Sequence, residues 1–208
     1  VTAESNTARP TADRHRGNRY GRSESARLAI LEAADDLLVE RGFAGVTMEG
    51  IAARAGVAKQ TIYRWWNNKA DVLLDAFLQD MAEGLLEIDH GDVERDLRAY
   101  LRLLAAFLGE SDTGATFRAL IGNGHLDAAF GERFRGQYVD AQCRRNRGML
   151  ERGIERGQLP ADLDVDVEAD QLVGPLFYRA LVTREPLDEG FVDRLADGFL
   201  ARVRSRQS

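Results

Sequence analysis

Residues 47–71 read TMEGIAARAGVAKQTIYRWWNNKAD, and the reading of this stretch decides the fold. Ile51, Ala52, Ala55, Val57, Ile62 and Trp65 fall where two helices crossing at a steep angle must touch. Ala52 is small enough for a second helix to pass close by, and Gly56 can take the positive φ that a tight turn between helices needs. The side chains left outside, Lys59, Gln60, Thr61, Tyr63 and Arg64, all offer hydrogen bonds. The spacing predicts a helix-turn-helix with a recognition helix from about Ala58 to Trp66.

Upstream, Leu28, Ile30, Leu31, Ala34, Leu37 and Leu38 line one face of a helix expected over Glu24 to Arg41, with Gly42 as its stop. Phe43 and Val46 would seal the base of a three-helix core, and Thr47 is a good N-cap for the next helix. Residues 1–23 lack apolar periodicity and carry Arg9, Arg14, Arg16, Arg19 and Arg22. They are expected to form a disordered arm, either a solvated tail or an arginine-rich segment lying in the adjacent minor groove.

The run ILEAADDLLVERGFAGVTMEGIAARAGVAKQTIYRWWNNKADVLLDAF, residues 30–77, resembles the N-terminal domain of the TetR family of bacterial transcriptional regulators. The resemblance implies an all-α homodimer. A three-helix, homeodomain-like DNA-binding domain, here residues 24–68, would carry a larger helical ligand-binding and dimerisation domain, residues 69–208. Carried over by position, it implies that Thr47, Tyr63 and Lys69 bond phosphates, while Lys59, Gln60 and Thr61 meet base edges and backbone. Arg64 stands where a histidine or aromatic residue is common, and its partner could be guanine or phosphate. Ala58 replaces a frequent Ser or Thr cap, and Asn67 a frequent proline; Asn68 can still cap the fourth helix.

That fourth helix is expected from about Lys69 through Leu73, Phe77, Met81, Leu85 and Ile88. Further helices are expected at 92–109, about 113–122, from Leu126 to Gly157, from Val167 to Thr183, and from Asp188 to Arg204. Gly174 and Pro175 should disturb the penultimate one. The last two have wide apolar faces that suit either pairing with a second copy or burial within a monomer. Aromatic residues at helical spacing suit an ordinary core, and the resemblance adds an inducer pocket. Its candidate lining is Leu104, Phe107, Phe117, His125, Phe134, Tyr138 and Phe177, with Gln137 and Cys143 as further polar groups.

The apolar content of 44% permits a real core in 208 residues. Net charge is −6, yet residues 1–70 carry eleven Lys and Arg against eight Asp and Glu, and residues 71–208 carry seventeen against twenty-six. Acidic bulk repels phosphate and leaves the basic end as the docking face. A single cysteine, Cys143, and the absence of a membrane-length apolar run lead to the expectation of a soluble cytoplasmic protein without a membrane partner. His15, His90 and His125 lie in no metal-ligand spacing, and no nucleophile elbow or phosphate-cradling loop occurs. No catalytic residue, metal or cofactor is therefore assigned. The partners expected are an inverted-repeat operator in double-stranded DNA, a hydrophobic or aromatic small-molecule inducer that releases a repressor, and a second copy of the chain. An architectural or cell-cycle DNA-binding protein without a metabolite ligand is the alternative.

Overall fold

The computed structural model describes residues 14–84 and 88–205, and within these it contains helices and no strands. Helix α1 spans Arg14–Gly45. Residues 14–23, expected in a disordered arm, are thus helical, because once a helix is nucleated each added residue brings its own hydrogen bond. Residues 1–13 of the expected arm lie outside the described residues. Ile30, Leu31, Ala34, Leu37 and Leu38 are buried as expected, whereas Leu28 stays exposed. Gly42, at φ 67°, breaks the helical path where the sequence predicts the stop.

Thr47 caps α2, Met48–Arg54, by accepting the Gly50 N–H at 3.0 Å. Gly56 takes φ 65°, and the Val57 N–H closes the turn on the Ala52 carbonyl at 3.0 Å. Helix α3 is short, Lys59–Tyr63, with Ala58 at its N-cap making no side-chain bond. The expected extension to Trp66 is corrected: the Trp65 and Trp66 N–H groups both bond the Ile62 carbonyl, which tightens the chain into a turn. That turn carries Trp66, not Trp65, into the core; Trp66 is 4% exposed and Trp65 only half-buried.

Asn68 Oδ1 accepts the Asp71 N–H at 3.0 Å and starts α4, Lys69–Gly84, whose buried stripe includes Val72, Leu73, Ala76 and Phe77. Ile88, expected on this helix, sits in a loop, and Leu85 lies outside the described residues. Helix α5 is Val93–Glu110, and α6 is Asp112–Leu126, longer than the expected piece. The predicted rod from Leu126 to Gly157 runs unbroken from Ala128 to Glu155, as α7, Ala128–Phe134, a π-helical turn, Arg135–Val139, and α8, Asp140–Glu155. Asp127 sets its start by accepting the Phe130 N–H, so Leu126 ends α6 and is 90% exposed instead of inward. Helices α6 and α7 meet at paired glycines, where a Cβ on Gly131 would lie 2.6 Å from the Gly124 carbonyl oxygen.

Helix α9, Val165–Tyr178, contains Pro175 and runs into a second π-helical turn at Arg179–Thr183. Helix α10 is Glu189–Arg204. It packs on α5, with Arg98 bonding Asp197 at 2.6 Å and Glu94 at 2.9 Å while Arg204 bonds Glu94 at 2.7 Å. At the other end of the molecule α1 lies against α4 and α6 as well as α2, so the three-helix head is built directly onto the larger helical core.

Candidate nucleic-acid interface

Lys59, Gln60, Tyr63 and Arg64 are exposed on α3 and its C-terminal end, and Thr61 is half-buried. Burial of Ile62 and Trp66 behind them fixes which face turns outward. Several cations of this surface are held by the protein itself. Lys59 pairs with Glu49 of α2, a contact that lowers the Glu49 pKa and raises that of Lys59. Arg54 bonds Glu40 at 2.6 Å and lies 3.6 Å from Asp36. Arg64 donates to Ser23 Oγ at 3.3 Å, with its guanidinium 4.7 Å from the Trp65 ring centroid. Exposed pairs of this kind contribute little stability and exchange readily for phosphate.

Lys69 has a different setting from the one its family position implies. Its ammonium donates to the carbonyls of Phe43 at 2.6 Å and Val46 at 2.9 Å and sits 4.4 Å from the Phe43 ring centroid. It ties the start of α4 to the α1–α2 loop and keeps one N–H for an outside acceptor. Thr47 likewise uses its hydroxyl as a helix cap.

Six of the seven candidate pocket residues belong to one core cluster. Phe117 is its hub, with ring centroids 5.4 Å from Phe107, 5.8 Å from Phe134, 5.7 Å from Tyr138 and 6.0 Å from Phe177; Leu104 is buried in the same core. His125 does not join them. It is exposed near the end of α6, where its Nδ1 bonds the Ile121 carbonyl at 2.8 Å. Gln137 is also exposed. The sequence reading omitted Phe77 of α4, which meets Tyr138 at 4.7 Å and Phe117 at 5.8 Å; its place in the α4 apolar stripe was the available signal.

Beside the rings lies a polar group that side-chain spacing does not reveal. Tyr100 Oη donates to Asn146 Oδ1 at 2.6 Å, and Gln142 Nε2 donates to Tyr100 Oη at 3.2 Å. Burial raises the Tyr100 pKa and, with Tyr100 nearby, pushes that of Tyr138 up to about 12, so both phenols are neutral donors at physiological pH.

Side-chain bonds join head and core. Trp66 Nε1 donates to Asp75 of α4 at 2.8 Å, Arg133 of α7 bonds Asp71 at 2.5 Å, and Thr116 of α6 bonds Asp35 of α1 at 2.8 Å. Two clefts of about 460 and 430 Å³ open along this seam, both lined by Trp65, Trp66 and Asp75.

A helix-turn-helix presenting hydrogen-bonding side chains, set on a larger helical core, is the architecture of a DNA-binding transcriptional regulator. Residues 30–76 match the family model described as bacterial regulatory proteins, tetR family, and residues 87–199 match the tetracyclin repressor-like C-terminal domain. The chain is 41% identical over 171 residues to the uncharacterised HTH-type transcriptional regulator YdeS of Bacillus subtilis, covering 82% of this chain and 86% of that protein. It is 29% identical over 180 residues to the DNA-binding transcriptional repressor TetR of Mycobacteroides abscessus, covering 86% and 94%. The crystal structure of the TetR family regulator SCO0332 superposes with a TM-score of 0.69 at 33% identity, covering 85% and 97%. The chain belongs to the TetR family of transcriptional regulators.

Proposed function

We propose that the protein is a homodimeric cytoplasmic repressor that binds an inverted-repeat operator and is released from it by an apolar or aromatic small molecule. One observation carries the release: α4 touches both the head and the aromatic cluster of the core. Its first residue, Lys69, is bonded to the head, and Phe77, eight residues or about 12 Å further along, packs in the aromatic cluster. A ligand that parts Phe77 from Phe117 or Tyr138 displaces Phe77, and with it the rod that holds the head. The neighbouring phenols and amides suit a ligand with an apolar body and one polar end.

The dimer reading rests on α9 and the π turn after it, where Tyr178 and Val182 are exposed and open space flanks Gly174. A second copy covering this face would present two recognition helices to successive major-groove half-sites. Repression, rather than activation, follows the Mycobacteroides abscessus relative.

The test is mobility shift with inverted repeats selected from random duplexes, repeated in the presence of apolar compounds that raise the melting temperature. Release by such a compound, with operator DNA weakening its binding by the same factor, supports the reading. A melting temperature indifferent to a broad set of apolar compounds would favour the ligand-free architectural alternative.

A further inference from the structure

We infer that Glu49 is a specificity-determining residue of the DNA interface, one that accepts a hydrogen bond from the N4 amino group of a cytosine in the major groove. The inference rests on the reading of the α2–α3 surface as that interface. Glu49 lies in the first turn of α2, and Lys59 is the first residue of α3, so their contact spans the turn between the two helices. The two side chains are 58% and 54% exposed, which leaves the carboxylate on the surface at the leading end of the recognition helix.

A carboxylate at this place has the wrong sign for phosphate, and an exposed ion pair does little for stability. As an acid in the first turn of α2 it also favours that helix end; base reading gives its exposed oxygens a further use. The Lys59 ammonium and the Glu49 N–H hold its carboxyl below the usual range, so at neutral pH it can only accept. In the major groove guanine shows two acceptors and thymine one, and either would repel it. Adenine offers an amino group but sets the N7 acceptor beside it. Cytosine offers its amino donor alone, and is therefore the base that a lysine-held carboxylate fits. The same charge penalises every register that places phosphate or an acceptor there, which separates the right site from random DNA.

The experiment selects binding sites for the full chain from a pool of random duplexes, in parallel for the wild type, Glu49→Gln and Glu49→Ala. The wild type should select cytosine at one fixed position of each half-site. Glu49→Gln, whose amide can both donate and accept, should turn that position toward adenine, and Glu49→Ala should leave it unspecified, with about tenfold of the preference lost. Both variants should bind random duplex more tightly than the wild type. Because Glu49 is exposed and Gln has its shape, thermal melting should be unchanged. A selected motif that is the same for all three chains overturns the role of Glu49 while leaving the interface standing. A folded wild type that selects no motif overturns the interface reading as well.

Discussion

Thr116 Oγ1 donates to Asp35 Oδ1 across 2.8 Å, joining α6 of the core to α1 of the head. Thr116 is fully buried and Asp35 half-buried, so water cannot readily replace either partner. Thr116→Val keeps the shape and removes the donor, leaving the carboxylate short of a partner. Urea unfolding should show a loss of about 1 to 3 kcal/mol, with Thr116→Ser much closer to the wild type. Equal midpoints for all three chains would mean that the bond contributes nothing.

The same pair gives a pH dependence with a definite sign. Burial is the largest influence on Asp35 and raises its pKa above 3.8, with the charges of Asp112 and Asp36 adding and the Thr116 bond opposing. The folded state therefore holds this proton more tightly than the unfolded chain. Asp35 lowers stability as pH climbs from about 3.8 through its raised folded value, and the effect is then constant. The stability of Asp35→Asn relative to the wild type should rise over that window and level off toward neutrality. A flat or falling difference in unfolding titrations between pH 4 and 7.5 would contradict the assignment.

Lys69 should behave as a structural and a DNA residue at once. Lys69→Ala removes two bonds to backbone carbonyls, and about 1 to 3 kcal/mol of stability should go with them. Its binding to selected and random duplexes should weaken by similar factors. Tyr63→Phe should weaken both without changing the melting temperature, because Tyr63 is exposed, whereas Gln60→Ala should alter base preference. Lys69→Ala with wild-type stability would show that its carbonyl contacts are dispensable.

Gly56 provides a test of backbone strain alone. Its φ of 65° disfavours a side chain, yet no neighbouring atom lies within 4 Å of where a Cβ would stand. Gly56→Ala should cost about 1 to 2 kcal/mol in thermal or urea unfolding, without the larger loss that a clash would bring. No change in stability would mean that the turn relaxes at no cost.

The helix-turn-helix was legible because contact between crossed helices demands small and apolar residues at set positions, as Ala52, Gly56 and Ile62 show. Helix ends at Gly42 and Asn68 were legible for the same reason: their chemistry is local. Trp65 and Trp66 were not separable, since periodicity points correctly only while a helix lasts and α3 ends at Tyr63. The π turns leave no residue signature, and they widen what reads as regular helix. The partners of Lys69 are backbone carbonyls, which every sequence has. Asp35 and Thr116 are 81 residues apart, and no spacing links them before the chain folds. Leu126 was expected inward because helical periodicity was continued across Asp127, where one helix ends and the next is capped.

Trp65 and Trp66 are the only tryptophans in the chain, and both line the seam where head meets core. Light absorbed at the red edge of the protein band is therefore taken up at that seam and nowhere else. The indole of Trp66 is bonded to a carboxylate and that of Trp65 has a guanidinium beside it, so any parting of the seam alters the surroundings of both emitters. The unlabelled protein carries its own optical gauge, able to time the loosening of the head in the presence of DNA.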